Sequence, residues 1–118
     1  MAVAVASART QDGSFLYQVT GVDRDTPQGR ERVEALYRGE FPFPTADPML
    51  QEALARAHET GNLSATTDES VFGAADVVVI DIALDIPFRD EHPQFQMTDL
   101  EQAVRSIAQR IPEGALIL

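Results

Sequence analysis

The 118-residue chain contains no cysteine, which excludes disulfides, thiolate metal sites and thiol nucleophiles from these residues. It contains no lysine either: its nine basic residues are all arginine and face nineteen acids, for a net charge of −10. Such a field repels phosphate backbones and anionic lipid, so neither nucleic acid nor a membrane surface is an expected partner. No segment approaches the roughly 20 apolar residues of a membrane span. The apolar start, Met1 to Ala8, lacks the charged head and the length of a secretion signal and reads as the end of a buried helix. No repeat or low-complexity tract is present. His58 and His92 lack metal-ligand spacing and are expected at the surface, so no metal site is expected. The composition suits a cytoplasmic protein.

What remains is ordinary for a compact water-soluble chain: 44% hydrophobic and 24% charged residues, enough for one modest domain spanning residues 1–118. Ala2 to Thr10 is helix-compatible and is broken by Gln11-Asp-Gly-Ser14, ahead of a strand from Phe15 to Asp23. Thr26-Pro27 supplies an N-cap and a first-turn proline for a helix with Val33, Leu36 and Tyr37 on one face and Gly39 as its stop. After the rigid connector Glu40-Phe-Pro-Phe-Pro-Thr45, Asp47-Pro48 opens a second helix with Leu50, Ala53, Leu54 and Ala57 on one side and Gly61 at its end. A short strand, Leu63 to Thr67, and a brief helix capped by Asp68 follow.

Val77 to Leu84 is a nearly unbroken apolar run, the signature of a central strand covered on both faces. Beyond a polar loop from Asp85 to Met97, Thr98 and Glu101 spell a capping box for a helix carrying Leu100, Ala103, Val104, Ile107 and Ile111, which Pro112 and Gly114 end. Ala115 to Leu118 begins another buried strand. Strands alternating with helices predict an open, mostly parallel, doubly wound Rossmann-like α/β sheet.

Within that sheet, the β-branched run Tyr17-Gln-Val-Thr-Gly-Val-Asp23 ends on an acid. In a dinucleotide-binding unit an acid in this place accepts hydrogen bonds from the adenosine ribose, roughly 20 residues after a glycine-rich phosphate loop, and repels the extra phosphate of NADP. Equally, Asp23 suits the start of the turn Asp23-Arg-Asp-Thr26. Ile80 to Asp85 falls at the strand end where open α/β folds bind ligands; Asp81 there is a candidate, or a simple end cap, and Ala83 offers close backbone approach or merely fills space. Phe41 and Phe43 are expected to pack the connector or to hook a partner. The acid pairs Glu31/Glu34 and Asp90/Glu91 are expected to be solvated faces.

Six pieces together resemble the N-terminal NAD-binding domain of the nucleotide-sugar dehydrogenases, the group that contains UDP-glucose 6-dehydrogenase and GDP-mannose dehydrogenase. They are Val19-Thr-Gly-Val-Asp23, Arg32 to Gly39, Asp47-Pro-Met-Leu50, Gly61 to Asp68, Ala75 to Ile80, and Asp99-Leu100. The resemblance implies an oxidoreductase that binds NAD and a nucleotide sugar, oxidises a sugar C6 alcohol to a carboxylate through a thiol-bound intermediate, and assembles as a homo-oligomer. It places Asp23 on the adenosine ribose, Arg32 at the opening of the following helix as a countercharge, and Ile82, Ala83 and Leu84 beside the nicotinamide-side ribose and phosphates. No catalytic residue carries over.

The chain departs from the family pattern where Ala83-Leu84-Asp85 replaces a Pro-Thr-Pro-like turn, in a longer interval between Asp23 and Arg32, and in Asp47 and Tyr37, where glutamate and asparagine are usual. Counting back about 20 residues from Asp23 reaches Met1, so the opening strand and glycine loop are expected to be missing, the sheet to be truncated at both ends, and the isolated chain to be inactive and marginally stable or self-associating. Two other readings fit less of the pattern. A response-regulator receiver would use Asp81 as phosphoacceptor but also needs a lysine, and a hydroxyacid dehydrogenase does not account for Gly61 to Asp68.

Overall fold

The computed structural model describes residues 1–82, 88–89, 92–93 and 97–118. The chain forms two compact units, Met1–Asp68 and Glu69–Leu118.

In the first unit, helix α1 (Ala2–Ala6) leads to strand β1 (Val19–Val22), helix α2 (Pro27–Tyr37), helix α3 (Pro48–Thr60) and strand β2 (Leu63–Thr66). β1 and β2 pair in parallel, Val19 opposite Leu63 through Val22 opposite Thr66. The two helices between them make the long crossover that parallel strands require. Val3 and Ala6 from α1, Ala35 from α2, Leu54 and Ala57 from α3 and Ala65 from β2 are buried together. Leu54 is the one large side chain among the described residues that is fully enclosed. Asn62 is buried as well, and its Nδ2 donates to the carbonyls of Ala6 and Tyr17 while its Oδ1 accepts from the Thr60 hydroxyl. One amide thus ties the end of α1, the approach to β1 and the end of α3 together.

The helix signals act as the sequence indicates. Thr26 takes the Gly29 amide at 3.1 Å and Asp47 takes that of Met49 at 2.9 Å. Gly39 and Gly61 adopt φ of 71° and 70°, the left-handed turn that ends each helix without a Cβ penalty. Two spans differ. Helix α1 stops at Ala6 and the strand begins only at Val19, because the intervening segment folds into a hairpin with a bridge between Arg9 and Phe15. Tyr37, expected on the apolar face, is 64% exposed, beyond the last turn that α2 buries.

The second unit contains a 3-10 helix (Glu69–Ala74), strand β3 (Val77–Val78), the short pair β4 (Phe88–Arg89) and β5 (His92–Pro93), helix α4 (Thr98–Ala108) and strand β6 (Leu116–Ile117). β3 and β6 are parallel, and the ladder continues where the Ile80 amide donates to the Leu118 carbonyl at 2.9 Å. The fold is therefore α/β with parallel strands in both units. The expected loop from Asp85 to Met97 holds the antiparallel β4–β5 pair. Here too the structure corrects three expectations. β3 buries Val78 but leaves Val77 and Val79 nearly half exposed, so within this unit one face is covered and not both. β6 exposes Leu116, Ile117 and Leu118, because β3 is its one partner among the described residues. The Thr98–Glu101 capping box does not form: Met97 occupies the cap at φ −94° and ψ 1°, and no side chain caps the helix. A capping hydroxyl acts from an extended residue ahead of the helix, and Thr98 is already inside it.

Candidate functional site

The site grows from the carboxyl end of β1. The Asp23 amide continues the ladder by donating to the Thr66 carbonyl at 3.0 Å, so the backbone that carries this carboxylate is fixed by the sheet. Oδ1 accepts from the Arg24 amide at 2.8 Å and Oδ2 from Arg32 Nη1 at 3.2 Å. The side chains of Arg32 and Asp23 remain 33% and 30% exposed, so the pair opens to solvent. Each carboxylate oxygen has spent one acceptor position on the protein and keeps another.

Arg32 reaches Asp23 because α2 starts so close to the strand end. The Thr26 cap fixes the first turn, and Gly29 removes the side chain that would block it. A Cβ there would lie 2.0 Å from the Arg24 carbonyl oxygen and 3.2 Å from Asp23 Oδ1. On its other side the Arg32 guanidinium lies 5.2 Å from the centre of the Phe43 ring, which meets Phe41 edge-on at 6.5 Å. A carboxylate and an aromatic ring thus hold Arg32 between them. Phe43 is half exposed and was not legible as a neighbour of Arg32, since ten intervening residues hide the proximity; a proline-flanked aromatic connector was the available hint.

Asp25 and Arg30 form an exposed pair at 2.6 Å; the Arg30 hydrogen bond holds the Asp25 carboxyl below its usual range and raises the guanidinium. This pair braces the turn between β1 and α2. Ile82 belongs to the second unit and is half-buried, two residues past the last β3 ladder bond; Asp81 beside it is exposed. Ala83 and Leu84 lie outside the described residues, as do Asp90, Glu91 and the side chain of His92. The other histidine, His58, is exposed, with Nε2 2.9 Å from the Tyr37 carbonyl oxygen. Among the described residues no group of three histidines or acids is arranged to hold a metal ion, and none of the helices is long and apolar enough to cross a membrane. Of the residues singled out from sequence, the structure brings Asp23 and Arg32 together.

A half-open carboxylate at the carboxyl end of a parallel strand, backed by an arginine, is the acceptor a vicinal diol requires. Residues 5–118 match the model of the UDP-glucose/GDP-mannose dehydrogenase family, NAD binding domain. The chain belongs to that family. No curated protein sequence matches it. Among solved structures it is similar to NDP-N-acetyl-D-galactosaminuronic acid dehydrogenase from Methanosarcina mazei Go1, with 25% identity and a TM-score of 0.83 over 98% of this chain and 23% of that one. It is also similar to GDP-mannose dehydrogenase from Pseudomonas aeruginosa, solved as a ternary complex (23% identity, TM-score 0.69, 95% of this chain and 22% of that one). A third is UDP-D-ManNAc dehydrogenase from Pyrococcus horikoshii (22% identity, TM-score 0.72, 98% of this chain and 24% of that one). The chain spans less than a quarter of the length of these relatives. The family's domain binds NAD, and the donor set fits the group: an open acceptor pair for a diol and a guanidinium beside it.

Proposed function

We propose that this chain is part of the NAD-binding domain of a nucleotide-sugar dehydrogenase, with Asp23 accepting hydrogen bonds from the two hydroxyls of the adenosine ribose. Arg32 keeps the carboxylate aimed, and with Phe43 forms the border of the adenosine side of the groove. Ile82, Ala83 and Leu84 are the residues assigned to the nicotinamide-side ribose and phosphates. The observation that carries this reading is the Asp23–Arg32 pair, held at the carboxyl end of β1 by the ladder and by the close approach of α2. Because Asp23 is an anion, NAD is favoured over NADP.

NAD supplies the hydride acceptor of the overall reaction, oxidation of a sugar C6 alcohol to a carboxylate on a nucleotide sugar, in a homo-oligomeric protein. The present residues bind and orient; with no cysteine among them, they supply no thiolate for a covalent step, and the 118 residues by themselves are inactive. They also carry no glycine-rich phosphate loop, so the pyrophosphate lacks its cradle of amides and binding to this chain alone is weak, on the order of millimolar.

Titrating the isotopically labelled chain with NAD and following backbone amide resonances tests the assignment. Shifts concentrated at Asp23, Arg24 and Arg32 that disappear in Asp23→Ala support it; shifts that bypass these residues, or that survive Asp23→Ala unchanged, reject it.

A further inference from the structure

At the amino ends of β1 and β2, the opposite edge of the first unit's sheet from Asp23, lies a cavity of about 330 Å³ whose walls include Arg9, Arg56, Phe15, Ala6 and Ala57. Among the described residues no carboxylate lines it, in a chain where nineteen acids face nine bases. Arg9 is fixed in place. Its guanidinium carbon stands 3.9 Å from the centre of the Phe15 ring and its Nη1 donates to the Gly13 carbonyl at 2.9 Å. The hairpin that carries both residues is closed by the Thr10 amide on the Ser14 carbonyl at 2.9 Å and the Leu16 amide on the Ala8 carbonyl at 3.1 Å. The acid within this hairpin, Asp12, is exposed and accepts from the Thr10 hydroxyl and from the Ser14 amide.

Arg56, which also lines the space, has no acidic partner among the described residues. Ser7 and Thr60 also border the space, but the Ser7 hydroxyl proton is committed to the Val3 carbonyl and that of Thr60 is shared among Asn62 Oδ1 and the Arg56 and Ala57 carbonyls. The cavity therefore offers two guanidinium forks and an apolar wall.

We propose that this cavity binds a small organic phosphomonoester, its dianionic head between Arg9 and Arg56 and its carbon part against Phe15, Ala6 and Ala57. Guanidinium forks match the geometry of phosphate oxygens, and a side chain already pinned to a ring and a carbonyl loses little freedom on binding. The site is independent of the dinucleotide groove. A purely structural role also exists for both arginines, since they stand near the carbonyl ends of α1 and α3, where positive charge offsets the helix dipole. The two roles differ in what they predict.

The isotopically labelled full chain is titrated with phenyl phosphate and, separately, with inorganic phosphate, at constant ionic strength set with chloride. The side-chain Nε–H resonances of Arg9 and Arg56 are followed. Saturable shifts at both arginines are expected, with phenyl phosphate binding more tightly than inorganic phosphate. Arg56→Gln weakens phenyl phosphate by about tenfold or more, Arg9→Lys weakens it while keeping the charge, and Arg38→Gln, a change outside the cavity's lining, leaves it unchanged. Shifts that grow without saturating overturn the proposal, as does an Arg56→Gln chain that melts lower yet binds as before, the pattern of dipole compensation alone. Equal affinity for the two phosphates removes the apolar wall from recognition and overturns the organic ligand.

Discussion

Asp23 owes its position to three neighbours, and only one of them is adjacent in sequence. The acid at the end of a β-branched run and an arginine in the next helix are legible as a pattern, though the structure places Arg32 at the middle of α2 and not at its opening. Gly29 is not, because its importance lies in a 2.0 Å approach of a would-be Cβ to the Arg24 carbonyl oxygen, a contact made by the chain turning back on itself. Gly29→Ala therefore sets two effects against each other. Helix propensity favours alanine by about 1 kcal/mol, while the backbone clash costs about 1–3 kcal/mol or more. The clash wins, and the expected outcome in chemical denaturation is net destabilisation together with weaker perturbation of Asp23 by NAD. Asn62 is a second residue whose sequence context hides its role: it falls within the segment Gly61 to Asp68 that carries the family resemblance, yet the structure gives it an internal tie between α1, β1 and α3. Asn62→Ala leaves the buried Ala6 carbonyl and the part-buried Tyr17 carbonyl without this donor and is expected to cost about 1–3 kcal/mol, measured from denaturation midpoints.

Two similar helix starts behave differently at the level of elements. Thr26-Pro27 and Thr98 to Glu101 both read as N-terminal signals, but the proline locks φ just after Thr26 and leaves that threonine extended, whereas Thr98 is drawn into the first turn behind Met97. Thr26→Ala is thus expected to lose about 1 kcal/mol and Thr98→Ala to stay within about 0.5 kcal/mol of the parent; paired melting curves make the comparison. Strand bounds were less legible than helices for a related reason. A β-run records what a strand can do, while its length is set by a partner: Phe15 is spent on the Arg9 hairpin, and β3 extends only as far as β6 accompanies it. That hairpin also carries an acid dependence. The Thr10 hydroxyl, with the Ser14 amide, lowers the Asp12 carboxyl from its ordinary value, so its contribution is complete above the ordinary carboxylate range and is lost as pH falls through the lowered value. The Ser14 amide resonance is expected to titrate below the usual aspartate range, and Asp12→Asn to abolish that titration.

The whole molecule consists of two units, and the first is held largely by small side chains: of its buried apolar residues only Val3 and Leu54 are larger than alanine. Leu54 is 1% exposed, so Leu54→Ala is expected to cost about 2–5 kcal/mol. That is a large share of the roughly 5–15 kcal/mol that keeps a domain folded, and hydrogen exchange should show the β1–β2 ladder opening first. The α/β class and the parallel pairing were readable because periodicity and caps report them directly. Burial at β3 and β6 was not, since an apolar run does not say how many of its faces have company.

The central claim is that the residue 23 carboxylate receives the adenosine ribose. Its most direct test is the ratio of NAD to NADP affinity, measured by resonance titration of the chain and of Asp23→Asn under identical salt. A preference for NAD in the parent that shrinks or reverses in Asp23→Asn, with both proteins folded, is the predicted result. An unchanged ratio would contradict the account.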